Sequence, residues 1–262
     1  MTTTQFPITD AQKAQYETEG FLLLERVLST QQLELLREEA QNAIDRIHAQ
    51  MDALNTDVLD INVRHSRYFS PDACDSQPRL REFLFCDLMA EVCRATIGPN
   101  ATLVYEQYVI KAAEKGKAFS WHQDSGYAQA AGAAPQPPGC TCWVALDDMS
   151  VANGTVFLLP YSRGGGKVLQ PHVWDDAAMD YVGYTGDDAG DAVLIPAGSI
   201  AVFSSLVFHR SGFNSTDKMR RVYLAQYAGE PLFKADGSGI IGRNDEFLRD
   251  GENVAQTGIS TP

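Results

Sequence analysis

The chain has no run near the roughly 20 apolar residues that a membrane helix needs. Its longest apolar stretch, "SIAVFSSLVF" at 199–208, is broken by serines and reads as strand. It also lacks a basic start followed by an apolar segment, so no secretory signal is expected and a cytoplasmic location is. Positive charge is scarce: Lys+Arg is 21 against 34 Asp+Glu, for a formal net charge of −13. An acidic surface repels phosphate backbones, which argues against nucleic acid as a partner. Cysteine is sparse and odd in number, at Cys74, Cys86, Cys93, Cys140 and Cys142. Their apolar contexts predict reduced, buried thiols rather than a disulfide framework. Cys140 and Cys142 form C-x-C, but no second pair completes a metal site. With membrane and nucleic acid set aside, a small molecule is the expected partner; the sequence specifies no oligomeric state.

What is present is a sizeable core, at 44% hydrophobic and 10% aromatic residues. Thr9 or Asp10 is placed to cap a short helix that Gly20 ends, and "FLLLERVL" then reads as a strand. Ser29 or Thr30 starts a second helix, in which Leu33, Leu36, Ala40, Ala43, Ile44 and Ile47 recur at helical spacing. "QPRLREFLFCDLMAEVCRATIG" predicts another, stopped at Gly98-Pro99. Beyond residue 100, short runs rich in Val, Thr, Tyr and Phe alternate with Gly, Pro, Asn and Asp, the pattern of a sandwich or barrel. One domain over 1–262 is the economical reading: a helical part to about 100, a β core over about 101–230, and a surface-wrapping tail over about 231–262.

Histidine is scarce as well: His48, His65, His122, His172 and His209. His48 reads as a solvated helix residue and His172 as structural. His122 and Asp124 stand two apart in "AFSWHQDSGY", and His209 ends an apolar strand. Residues i and i+2 of a strand share a face, so His122 and Asp124 can aim at one point that His209 reaches from another strand. Alone, H-x-D is also a common polar turn. Two imidazoles and one carboxylate leave positions open on a metal, which suits non-haem Fe(II) better than a closed structural zinc site. In "MRRVYLAQY", Arg220 shares a largely apolar face with Val222, Leu224 and Gln226. A buried arginine there needs an anion, and its fork suits a carboxylate. Arg220 thus reads as the anchor of a dicarboxylate co-substrate whose other end chelates the metal.

Four motifs in order, W-H-Q-D (121–124), W-V-A-L-D-D with N-G-T (143–148, 153–155), L-P-Y-S-R (159–163) and H-R-S-G-F-N-S…R (209–215, 220), resemble the phytanoyl-CoA dioxygenase family of Fe(II)- and 2-oxoglutarate-dependent oxygenases. The likeness spans roughly residues 10 to 230. It implies a mainly β fold with flanking helices, built on a double-stranded β-helix (jelly roll, cupin-like). It implies His122, Asp124 and His209 as iron ligands and catalytic centre. Arg220 then pairs with the distal carboxylate of 2-oxoglutarate, with Ser211, Trp143 and, by a looser match, Gln107 around it. Dioxygen is the second co-substrate, and succinate and CO2 are the products of 2-oxoglutarate. In similar halogenases a small residue stands where Asp124 is, so its carboxylate favours hydroxylation. The family's usual P-G-S-H turn is here Pro160-Tyr161-Ser162-Arg163, which makes that loop atypical.

Substrate signals are thinner. The Ala/Gly/Pro-rich "SGYAQAAGAAPQPPG" suggests a mobile lip. Phe119 and Tyr127 flank the H-x-D segment; Tyr127 either touches substrate or packs. Arg64, His65 and Arg67 either bind an acidic group or form a solvated loop. Desaturation, epimerisation or ring formation in the same fold, possible steps of secondary-metabolite biosynthesis, and an inactive cupin-like binding protein, are the alternative readings. His122→Ala is expected to abolish iron-dependent succinate formation; retained turnover would exclude this triad.

Overall fold

The structure, a computed structural model, describes residues 8–113 and 118–255. The extreme N-terminus and residues 256–262 of the expected tail lie outside the described residues. Among the described residues no helix is long and apolar enough to cross a membrane.

The helix signals act as capping chemistry predicts. Thr9 and Ser29 each accept from the backbone of the glutamine three residues on, Gln12 and Gln32, whose side chains reach back to the cap. The first helix, Asp10–Glu19, ends at Gly20 with φ 83°, where a Cβ would stand 2.4 Å from Val207. The second spans Thr30–Ala53 and buries Leu36, Ala40, Ala43, Ile44, Ile47 and Met51. The third expected helix is two, Leu80–Leu84 and Asp87–Thr96, because the chain turns extended at Cys86. The strand expected over "FLLLERVL" stops at Leu24; Arg26 takes φ 49° and redirects the chain to the Ser29 cap.

Two antiparallel sheets form the double-stranded β-helix core. In the large sheet the order runs Phe21–Leu24, Ser199–Ser204, Cys140–Ala145, Arg220–Ala228, Ala101–Lys111, Arg67–Pro71, Asn62–Val63, Val58–Leu59. The small sheet orders Asp191–Ala192, Val156–Leu159, Phe208–Ser211 and Phe119–His122. A separate hairpin pairs Val173–Asp175 with Asp180–Val182.

Period two divides each large-sheet strand between two interiors. Cys140, Cys142 and Val144, with Tyr223, Ala225 and Tyr227, pack toward the helices. Trp143, Ala145, Val222 and Phe203 pack with Val156 and Leu158 of the small sheet. The buried thiols read from the sequence thus belong to the core, Cys86 being only partly covered.

Two loop assignments change. Arg67 opens a strand and shares a rung with Lys111 and Arg220. The tail is not a polar wrap: Asp245–Arg249 pairs with the Ala101 end of its neighbour and buries Phe247 and Leu248. Low average apolarity hid these two well-placed side chains.

Leu36 is fully buried in the helix–sheet core, and its carbonyl accepts from the Tyr108 hydroxyl. Leu36→Ala is expected to cost about 2–5 kcal/mol, read as a lowered urea midpoint with an unchanged slope.

Candidate iron and 2-oxoglutarate site

His122 ends the Phe119–His122 strand, and His209 lies opposite it on Phe208–Ser211. Asp124 is not on the strand, as strand spacing suggested. It opens the helix Asp124–Ala130, and one intervening residue turns it toward the same point. One ligand atom from each of the three lies within 4.8 Å of the others, and no other such His/Cys/Asp/Glu cluster occurs among the described residues. Asp124 Oδ1 is 3.5 Å from His209 Nε2 and 4.0 Å from His122 Nε2.

Each donor is aimed by a second bond. Nδ1 of His122 donates to the Ser120 carbonyl (2.8 Å) and Nδ1 of His209 to that of Val207 (3.1 Å). This assigns the proton to Nδ1 and leaves the Nε2 lone pair for a metal. The Thr141 hydroxyl donates to Asp124 Oδ2 at 2.5 Å, holding that oxygen back and presenting Oδ1. Burial, then the neighbouring His209, pushes His122 down to about 4, which keeps the ring neutral and able to ligate. The donor set therefore fits Fe(II): two nitrogens, one carboxylate and no fourth protein ligand in the cluster.

Gln123, the middle residue of the motif, is fully buried. Its side chain donates to the carbonyls of Val168 and Leu206 and accepts from Gln170 N. Its backbone N–H donates to His172 Nε2 at 2.9 Å, while His172 Nδ1 donates to the Gln170 carbonyl. The imidazole is wedged beside Gly126 and Gly183; a Cβ at either would stand 2.4 Å from the ring. His172 makes structural contacts, and the structure it serves is the spacing of His122 and Asp124. His48, expected in solvent, instead hydrogen-bonds the Tyr68 hydroxyl at 2.8 Å.

A cavity of about 400 Å³ opens on the three donors and is lined also by Arg220, Ser211, Trp143 and Gln107. Arg220 is 1% exposed. It donates to the Gly154 carbonyl (2.7 Å), its guanidinium carbon lies 5.6 Å from the Trp143 ring centroid, and its buried Nε has no partner among the described residues. Arg221, one position on, is paired through Nε and Nη2 with Asp147, the first aspartate of W-V-A-L-D-D. Of the two arginines, Arg220 is the one whose fork still has an open donor, and that donor fits a carboxylate. Gly154, of N-G-T, has φ 78° and lies against Gly212, a close approach that a side chain would block.

Lys111 gave no signal in the sequence. Paired in register with Arg220, it is 1% exposed and donates to Ser211 Oγ (2.8 Å) and the Gly212 carbonyl (2.5 Å). Its strand end reads as a charged terminus, and only the barrel's closure buries it. Burial, then the positive Arg220, lowers its amine to about 5.

Phe119 and Tyr127 line the cavity; Arg64, His65 and Arg67 do not. Arg64 pairs with Asp52 and Asp57, the His65 ring meets His48, and Arg67 donates to the Ile61 carbonyl. Tail residues Leu232, Ile241 and Gly242 complete the lining, which the sequence did not suggest. The expected lip is partly the helix Asp124–Ala130.

A match to the family described as phytanoyl-CoA dioxygenase (PhyH) covers residues 16–222, and the chain belongs to that family. It is thus an oxygenase dependent on Fe(II), 2-oxoglutarate and dioxygen. Human peroxisomal phytanoyl-CoA dioxygenase is 23% identical over 257 residues, covering 91% of this chain and 74% of the relative. Among solved structures, EctD from S. alaskensis with 2-oxoglutarate and 5-hydroxyectoine superposes with a TM-score of 0.69 at 22% identity, covering 97% of this chain and 88% of that one. The 2-oxoglutarate-dependent carbocyclase SnoK of nogalamycin biosynthesis superposes at 0.68 with 16% identity, covering 90% and 93%.

Lys111 yields a pH test. A buried amine whose folded pKa lies below its unfolded value binds fewer protons when folded, so its cost grows as pH falls from about 10.5 to about 5. Lys111→Met is expected to gain stability relative to the parent across that window, with the difference level below it. Urea midpoints at several pH values measure this; a pH-independent difference would mean the amine is charged when folded.

Proposed function

We propose that His122, Asp124 and His209 hold the iron, that Arg220 and Ser211 hold the distal carboxylate of 2-oxoglutarate, and that Trp143 and Gln107 flank it. The observation that carries this is the unpartnered Nε of fully buried Arg220, in the wall of the cavity onto which the three donors open. A buried guanidinium with a spare donor is costly until an anion meets it. Once bound, iron and 2-oxoglutarate together activate dioxygen, with succinate and CO2 released. The chain's residues supply the rest. Lys111 donates to Ser211 Oγ, which leaves the serine's own proton free for the co-substrate carboxylate. Thr141 and the two backbone carbonyls keep the ligands aimed. Asp124 occupies the position that halogenases leave open, which favours oxygen transfer to the substrate, and hydroxylation is the proposed outcome.

The substrate half of the cavity is walled by Ile61, Phe69, Val104, Phe119, Leu232 and Ile241. The remaining lining arginine, Arg210, lays its guanidinium on Phe157 at 4.0 Å and donates to the Ala189 carbonyl, neither of which lines the cavity. Among the described residues no lining cation is left to pair with an acidic substrate, and the apolar walls favour a substrate part that is small, largely apolar and uncharged. A CoA moiety, if carried, stays outside. We propose that the chain works as one domain, and the five unpaired thiols fit a reducing compartment such as the cytoplasm.

Succinate release across matched free acids, neutral esters and CoA thioesters tests the substrate reading; stimulation by free acids alone would overturn it. Product mass separates hydroxylation, one oxygen gained, from desaturation, two hydrogens lost. Arg220→Ala is expected to raise the 2-oxoglutarate concentration needed for half-maximal succinate release by at least tenfold, the loss of about 1.5–3 kcal/mol from a charged hydrogen bond. An unchanged requirement would assign the co-substrate to another residue.

A further inference from the structure

Three aromatic rings lead from the ligand cluster to the surface. Tyr127 meets His122 edge-on with ring centroids 4.9 Å apart. Tyr181 meets Tyr127 at 5.4 Å, and Trp174 meets Tyr181 at 5.1 Å. Tyr127 lines the cavity, Tyr181 is half-buried, and Trp174 is 45% exposed. Two separate elements build the line. Tyr127 comes from the helix that Asp124 opens, while Trp174 and Tyr181 are paired neighbours on the 173–182 hairpin.

Edge-on aromatic packing alone would be served equally by phenylalanine. The polar partners are what packing does not require. The Tyr127 hydroxyl donates to Asp180 Oδ1. Asp180 is 5% exposed and held by the backbone N–H groups of Ser120 (2.8 Å) and Tyr181 (3.0 Å). At the outer end, the Trp174 indole N–H donates to Asp176 at 2.8 Å. A phenol yields an electron readily only if its proton has somewhere to go, and here a fixed carboxylate stands on that proton.

We propose that Tyr127, Tyr181 and Trp174 form an electron path that discharges the site when dioxygen and 2-oxoglutarate have reacted but no substrate is oxidised. The inference rests on the iron site proposed above. With iron held by the three donors, uncoupled reaction of dioxygen with 2-oxoglutarate would leave the site two oxidising equivalents above Fe(II), and two electrons with two protons would discharge it with release of one water. Tyr127 supplies each electron while its phenolic proton moves to Asp180. Tyr181 and then Trp174 refill the hole, and the proton returns to Tyr127. The two electrons come from a small reductant of the ascorbate class at exposed Trp174, and the two protons come from solvent. Without reductant, both holes collect on one side chain, Trp174 or Tyr181, where a water adds one oxygen to the ring and two protons return to solvent.

The test uses the full chain with Fe(II), 2-oxoglutarate, air and catalase, without substrate or ascorbate, followed by peptide mass mapping. Added oxygen is expected at Trp174 and Tyr181, severalfold above Trp121 and above Met179, which is more exposed at 65%. Trp174→Phe is expected to keep the initial rate of succinate release but to release severalfold fewer succinates before inactivation. Ascorbate should extend turnover in the parent and not in the variant. Oxidation spread evenly over exposed residues, oxidation absent from Tyr181 and Trp174, or equal inactivation of Trp174→Phe would each overturn the path. If the parent releases no more succinate than His122→Ala, the iron-site reading itself fails and the path falls with it.

Discussion

Each strand of the large sheet has to satisfy two interiors at once, and the rest of the molecule follows from that constraint. Along Arg220–Ala228, odd positions Tyr223, Ala225 and Tyr227 meet the helices, while even positions Arg220, Val222, Leu224 and Gln226 face the cavity side. Period-two geometry leaves no freedom to exchange them, since a one-residue slip would put tyrosines in the cavity and a guanidinium among the helices. The helix layer can therefore be dry and dense. The barrel interior holds buried Lys111 and Arg220, and the helix side holds buried Glu106.

Those groups are balanced unequally. Glu106, on the helix side, accepts from Cys74 N and the Tyr223 hydroxyl, and burial raises its pKa. Lys111 and Arg220, on the cavity side, have carbonyls and a hydroxyl but, among the described residues, no carboxylate within bonding distance. Folding thus leaves the charge of Arg220 at one end of the cavity and a cluster of metal donors near it. An anion that chelates a metal with its other end relieves both, and 2-oxoglutarate has that shape. The helix at Asp124 and the 173–182 hairpin also line up three aromatic rings beside that site, the route proposed for electrons.

Much of the site was legible because its residues are chemically rare in their settings. His122 and Asp124 in an apolar context, His209 at a strand end, and Arg220 on an apolar face each stand out against what a core accepts. The helix caps were legible because capping is a local contact between residues three apart. Gln123, His172, Lys111 and Asp180 were not, because each gains its role from a partner distant in sequence: residues 172 and 123, or 111 and 211. Polar residues read singly look solvated, as His48 did. Of the two readings open at Arg64 and His65, an acidic-group site or a solvated loop, the contacts fit the loop, since nearby Asp52, Asp57 and His48 engage them.

By itself the sequence determined the periodicities, the caps, the separation of a helical part from a β part, and the residue types able to bind iron and a dicarboxylate. All of these depend on local geometry or on the intrinsic chemistry of one side chain. Only the tertiary structure decided which donors converge, that Asp124 joins the two histidines from a helix rather than a strand, and that Arg221 is paired with Asp147 while Arg220 is not. It also brought the tail to the cavity mouth and lined up Tyr127, Tyr181 and Trp174. Convergence is set by strand register and loop closure, which place atoms from distant segments within bonding distance, and no window of sequence contains that information.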